Sequence, residues 1–253
     1  MSHMITQSRM TLGGVDLKTP PLPKPPRTTQ RQTNIGEFEL NPLRHITVAC
    51  VWWGTQYGVD YVERLRDSVS RNLSIPHTFV CITDHEVPEG VIRMRPQLKD
   101  GTWWQKVGLF SPDLFGLSQR ILYLDLDLVV IGSLDQIANV AEPFCMIENY
   151  GPNKGHAAHN SSCMVWTPTE QTHRIFNAFT SDVTKQLHGD QCWIWRVMLG
   201  QITDFPRHYC ISYKYEKAQE KWRHRTNETS CVVFHGTPKP HQVKDEYIRK
   251  NWI

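Results

Sequence analysis

The 253 residues carry 40% hydrophobic and 21% charged side chains and a formal net charge of +3, an ordinary globular composition with length for one large α/β domain or two small ones. The positive excess sits at one end: residues 1–45 hold six Lys or Arg and three acids, so the other 208 residues hold 22 of each sign. A neutral body lacks the concentrated basic face that nucleic acid demands, no apolar run approaches the roughly 20 residues of a membrane span, and the N-terminus lacks the charged-then-apolar pattern of a secretion signal.

Residues 1–44 include Thr19-Pro-Pro-Leu-Pro-Lys-Pro-Pro26 and read as a flexible Pro-rich arm. Residues 45–253 read as a single domain. His45 to Trp53, HITVACVWW, is expected as the first core strand, and Gly54 to Gly58 as a turn. From Asp60 to Asn72 the spacing of Val62, Leu65 and Val69 predicts an amphipathic helix, stopped by Pro76. His77–Thr83 is a second strand, Val91–Met94 a weaker third, and Trp103–Phe110 opens a helix that Pro112 limits.

Ile121 to Leu134, ILYLDLDLVVIGSL, is the stretch around which the rest is organised. Apolar runs on both sides of Asp125-Leu126-Asp127 read as buried strand, and carboxylates in such a place need compensation for their charge. In an extended segment residues i and i+2 face one side, so Asp125 and Asp127 are expected to converge. A divalent cation is the natural compensation, and oxygen ligands suit Mg or Mn. The plainer reading is a strand end whose acids cap backbone N–H groups.

Beyond the acids come a turn and short helix at Gly132–Asp135, a strand at Phe144–Ile147, a polar loop from Glu148 to His159, and a strand at Asn160–Trp166. Thr169–Thr180 is a helix with Ile175 and Phe179 on one face, and Gly189–Trp195 opens another, with Asp190 in its first turn. Residues 214–230 are highly charged and expected to be exposed. Cys231–Phe234 is the last strand and ends in His235-Gly-Thr-Pro-Lys-Pro-His241. Alternating strands and helices predict a mainly parallel α/β sheet whose ligands sit at strand carboxyl ends. The seven cysteines form no CxxC pair; this excludes the common zinc and disulfide frameworks, and the odd number fits reduced thiols in a cytoplasmic protein.

Several of these pieces, in this order, resemble the GT-A-fold glycosyltransferases, and most nearly glycosyltransferase family 8, the group of glycogenin and bacterial galactosyltransferases. The pieces are Trp52-Trp-Gly-Thr-Gln-Tyr57, Gln105-Lys-Val-Gly-Leu109, Leu122-Tyr-Leu-Asp-Leu-Asp127, Asn160-Ser-Ser162, Asp190-Gln191 and His235-Gly-Thr-Pro-Lys-Pro240. The D-x-D after an apolar strand, combined with the terminal His and Lys-Pro, is the specific part. Three departures fall on positions that bear on specificity. His235 abuts Gly236 where the family spaces the two, His241 stands where Trp is usual, and Cys192 follows Asp190-Gln191 where some relatives carry a second acid.

The resemblance implies a GT-A (Rossmann-like) fold and transfer of a sugar from a nucleotide-diphosphate donor, a UDP-sugar by analogy, to a saccharide, lipid or protein acceptor, with retention. It implies Mn or Mg held by Asp125, Asp127 and His235. It places Tyr57, Lys106, Asn160, Gly236 and Lys239 around the donor, and Asp190 and Gln191 at the reacting carbon. Two alternatives remain at this stage. One is a haloacid-dehalogenase-like phosphotransferase with Asp125 as nucleophile; against it, about 75 residues of α/β pattern precede the acids, and no second acid closely follows Asp190. The other is a non-catalytic nucleotide- or carbohydrate-binding relative.

Overall fold

In the computed structural model the apolar run at Ile46 becomes β1 (Ile46–Val51), buried at every residue. The structure describes residues 45–99, 102–115, 119–151, 158–218 and 225–253. The chain divides into two units, Met1–Leu40 and Asn41–Ile253, and the described residues belong to the second. The Pro-rich arm expected over 1–44 lies outside them.

After β1 the chain forms α1 (Val59–Asn72), β2 (His77–Ile82), β3 (Ile92–Met94) and a 3-10 helix over Trp103–Phe110. Then follow β4 (Ile121–Leu124), β5 (Leu128–Val130), α2 (Asp135–Ala138), β6 (Phe144–Glu148) and β7 (His159–Trp166). The remainder is α3 (Glu170–Asn177), α4 (Ser181–Gln186), α5 (Asp190–Val197), β8 (Thr203–Asp204), β9 (Cys210–Ser212), α6 (Tyr213–Ala218), β10 (Cys231–Val233) and α7 (Glu246–Asn251).

Seven strands make the central sheet in the order β3-β2-β1-β4-β7-β6-β8. Pairings among β3, β2, β1 and β4 are parallel, β7 runs antiparallel to β4 and β6, and β8 is parallel to β6. Side chains alternate across this sheet as the strand pleat requires. Val48, Cys50, Leu122 and Leu124 pack on one side with α1 and the second sheet. Ala49, Ile121, Tyr123 and Met164 pack on the other with Trp104, Val107 and Phe110 of the 3-10 helix. α1 forms where its pattern predicts, burying Tyr61, Val62, Leu65 and Val69, with Asp60 in its first turn and Arg71 in its last to suit the helix dipole. α3 is closed at its N-terminus by a Thr169/Thr172 capping box.

The central stretch departs from expectation. Residues 121–130 are not one extended run: β4 stops at Leu124, and the chain turns through Asp125–Asp127, with Leu128 N–H donating to the Asp125 carbonyl at 3.2 Å. β5 then joins a separate three-stranded sheet, β5-β10-β9. The acids therefore meet in a turn between two sheets, not on one face of a strand. The turn lets each carboxylate take its own partner, which a continuous buried strand would deny. Of the described side chains in 214–230, Lys214 and residues 225–228 are exposed as expected, whereas Glu216, Thr229 and Ser230 are buried; β10 begins directly after Ser230 and draws its approach inside. No described helix is long and apolar enough to cross a membrane.

Candidate active site

β4 delivers Asp125 to the carboxyl edge of the parallel strands, where open α/β sheets bind ligands. Asp125 N–H still donates to the Ser162 carbonyl at 2.9 Å, so β7 holds the turn in place. β10 brings the C-terminal motif to the same spot. It runs antiparallel to β5 with Val233 opposite Leu128, so the next residues, Phe234 and His235, come alongside Leu126 and Asp127. The 3-10 helix supplies Lys106 from the opposite side of the central sheet, and α5 supplies Asp190 and Gln191 at its first turn.

These segments enclose a cavity of about 250 Å³, and every site residue expected from sequence lines it: Tyr57, Lys106, Asp125, Asp127, Asn160, Asp190, Gln191, His235, Gly236 and Lys239. Trp53, Trp103, Tyr123 and Ser161 line it too. Tyr123 carried a readable signal, because it stands two residues before Asp125 in a strand. Ser161 lies within the Asn160-Ser-Ser162 piece, though its role as a bridge between Lys106 and Asp190 was not legible there.

Two ion-paired groups organise the floor. Lys106 Nζ lies 3.0 Å from Asp125 Oδ1 and 3.4 Å from Asp190 Oδ2, and donates to Ser161 Oγ at 3.1 Å. Ser161 in turn donates to Asp190 Oδ2 at 2.6 Å, and Tyr123 Oη to Asp125 Oδ1 at 2.6 Å. In the other group Asp127 Oδ2 accepts from Lys239 Nζ at 2.5 Å and from Tyr57 Oη at 2.9 Å. Tyr57, expected around the donor, holds the Asp127 carboxylate through its hydroxyl, and its ring leans on Tyr61 at 4.6 Å. Asn160 Oδ1 accepts from Ser162 N–H at 2.9 Å. Gly236 has φ 75° with open space where a side chain would stand. His241, in place of the family's Trp, meets Tyr61 Oη through Nδ1.

The two carboxylates are pushed apart electrostatically. Burial would raise Asp125, but Lys106 and the Tyr123 hydroxyl overrule it and hold the acid below the usual carboxylate range. Burial raises Asp127, the neighbouring charge of Asp125 raises it further, and Lys239 only partly offsets them. Burial likewise opposes the charge on Lys106, yet Asp125 and Asp190 keep the ammonium protonated above the ordinary lysine range. His235 is lowered by burial and by Lys214 and Lys239, so its imidazole is neutral at pH 7.

By donor chemistry Asp125, Asp127 and His235 fit a hard divalent cation: two carboxylates and a neutral imidazole on one cavity. They are not drawn together as a ready shell, and among the described residues no three His, Cys, Asp or Glu stand arranged to hold a metal. Each acid is engaged by a lysine, while His235 Nε2 shares a 2.6 Å hydrogen bond with Ser212 Oγ and its ring stacks on Tyr150.

No protein-family model matches the sequence, and no curated protein matches it. Solved structures do match in fold. The galactosyltransferase LgtC, in complex with donor and acceptor sugar analogs, superposes with a TM-score of 0.61 at 14% identity, over 82% of this chain and 95% of that one. The glycosyltransferase GlyE of Streptococcus pneumoniae TIGR4 gives 0.59 at 16% identity, over 83% of this chain and 62% of its own. The bifunctional glycosyltransferase WbbM gives 0.61 at 10% identity, over 87% of this chain and 50% of its own. The chain thus spans nearly all of the galactosyltransferase and about half to two thirds of the two larger proteins. The strand order, the sheet-switching turn and these superpositions together make the fold of this protein the GT-A fold of glycosyltransferases.

Proposed function

We propose that the protein is a metal-dependent glycosyltransferase that moves a sugar from a UDP-sugar to an acceptor with retention of configuration. One observation carries the reading. At the carboxyl edge of a GT-A sheet, a single cavity gathers three carboxylates, Asp125, Asp127 and Asp190, against two ammonium groups, Lys106 and Lys239. Left so, it repels a diphosphate. Asp125, Asp127 and His235 would hold a divalent cation, which would reverse that sign and supply Lewis-acid stabilisation of the charge on the departing diphosphate.

The chain's own groups do the rest. Lys239, already beside Asp127, offers a point charge to the phosphates. Gly236, with no side chain over its backbone, leaves room for the diphosphate to approach. Tyr57 flanks the nucleotide, and Asn160 and Gln191 hydrogen-bond the donor sugar. Asp190 is held by Lys106 and Ser161 through one oxygen, which makes it a fixed negative charge near the reacting carbon. A carboxylate stabilised by an ammonium and a hydroxyl is a weakened nucleophile, so the favoured route is a same-face substitution in which the leaving phosphate takes the acceptor proton, with Gln191 on the reacting face. The phosphotransferase reading is disfavoured: β1, β2 and β3 all precede Asp125, and Lys106 and Tyr123 tie down one of its two carboxylate oxygens.

The test is to incubate the protein with UDP- and GDP-sugars in Mn, in Mg or in EDTA, following nucleotide release and the anomer of the product by NMR. The expected result is cation-dependent release of UDP from at least one UDP-sugar, with the donor's anomeric configuration kept. Hydrolysis of p-nitrophenyl phosphate without any sugar-nucleotide turnover contradicts the proposal and favours the phosphotransferase.

A further inference from the structure

Lys239 stands in an unexpected place for a group assigned to phosphate. Its Nζ lies 2.5 Å from Asp127 Oδ2 and 5.6 Å from the centre of the Tyr57 ring. Tyr57 Oη donates to the same carboxylate oxygen at 2.9 Å. The Lys239 and Asp127 side chains are only 13% and 10% exposed, so solvent and salt screen their charges weakly. An ammonium therefore sits on the carboxylate to which the divalent cation is assigned. A cation on either oxygen of that carboxylate would be pressed against the ammonium, and in so closed a place the two repel strongly.

Of the two lysines in the cavity, Lys239 is the one built to leave. Lys106 comes from a buried 3-10 helix and has three partners, Asp125, Asp190 and Ser161. Lys239 has one carboxylate among the described residues and follows exposed Gly236, Thr237 and Pro238. Its backbone is anchored, because its N–H donates to Gln242 Oε1 at 2.8 Å at the head of the short 3-10 helix Pro240–Gln242. The flexible stem alone can carry the ammonium from one anion to another.

We infer that Lys239 is a resident counter-cation: it holds Asp127 in the free protein, keeps a divalent cation off that carboxylate, and releases it when a nucleoside diphosphate offers phosphate oxygens instead. The inference rests on the transferase reading and adds a coupling to it. A ligand shifts an equilibrium only by its differential affinity for the two arrangements. The diphosphate favours the displaced ammonium and the divalent cation favours the bared carboxylate, so both select one arrangement. Each must then tighten the other by the same factor.

The experiment measures Mn binding to the full chain from the EPR signal of the free ion, with and without UDP and corrected for Mn–UDP in solution. The proteins are wild type, Lys239→Met, Lys239→Gln and Lys214→Gln. Lys214 is exposed and its charge also bears on His235, so its variant controls for the loss of a positive charge alone. Without UDP, both Lys239 variants are expected to bind Mn about tenfold or more tightly than wild type, the scale of one charge-assisted hydrogen bond. Lys214→Gln should stay near wild type, and the factor by which UDP tightens Mn should fall in the Lys239 variants. In wild type the Lys239 side-chain 15N signal should move when UDP and Mg are added together, a readout that depends on no variant. Mn binding that is equal or weaker in the Lys239 variants, an equal gain in Lys214→Gln, or an unmoved Lys239 signal in protein that has bound UDP and Mg overturns the inference; where wild type still binds UDP with Mn, the transferase reading survives that result. Wild type that binds neither Mn nor UDP, alone or together, ends both.

Discussion

Lys106 is the side chain on which the site's charge balance turns. It is 8% exposed and touches Asp125, Asp190 and Ser161 at once. Replacing it with methionine keeps the stem but strands two carboxylates, so Lys106→Met is expected to cost about 3–5 kcal/mol, the range for breaking a buried pair from one side; an unchanged urea midpoint would contradict that. The acids themselves should titrate apart. Asp125 is held low, so its contribution to stability is present above the ordinary aspartate value and is lost only as pH falls through the depressed one. Asp127 is held high, so its ionised form costs stability, and protonation relieves that cost as pH falls through the raised value. Carboxyl-carbon NMR on the free protein should show Asp127 titrating above the usual range and Asp125 below it. A common, ordinary midpoint for both would contradict the assignment of their partners. Residue identity was readable here because D-x-D, the terminal His and Lys-Pro recur in order. Partnership was not, because which lysine meets which acid depends on where the 3-10 helix and β10 come to lie.

At the scale of elements, the sequence patterns found the long pieces and, among the short ones, β3, α2 and β10, but missed β8, β9 and α6. β1, α1, β2 and β7 are runs of six or more residues with clear apolar patterns, and they fall where the sequence predicts. β8, β9 and α6 are two, three and six residues long, too short for a period to register against neighbouring turns. The Asp-Leu-Asp turn was misread for a different reason. A two-residue alternation assumes the chain stays extended, but β5 is pulled into another sheet by β10, a strand about a hundred residues away. That junction is tight. A Cβ on Gly132 would stand 2.4 Å from the Thr229 carbonyl oxygen, and Gly132 N–H donates to the Ser230 carbonyl, so backbone must move to admit it. Gly132→Ala is therefore expected to destabilise by roughly 1–3 kcal/mol, as overpacking does, and chemical denaturation reads it directly. A variant as stable as wild type would mean that β5 and β10 are not held as described.

At the scale of the molecule, all seven cysteines are free and buried, as their scattered spacing suggested. The native protein should react slowly with Ellman's reagent, release seven thiols on unfolding, and keep its Tm in reductant; fast native labelling would contradict the packing of both sheet faces. The neutral body also bears on function. With charge balanced over residues 46–253, a polyanion is not recruited from afar, and affinity for a diphosphate must come from the few groups in the central cavity. Those groups are short of positive charge until a cation joins them, and that is the central claim. Isothermal titration of UDP, with and without Mn, on wild type and Asp127→Ala tests it most directly. The account predicts UDP binding that requires Mn and is lost in the variant. UDP binding that is equally tight without the cation, or that survives in Asp127→Ala, would contradict it.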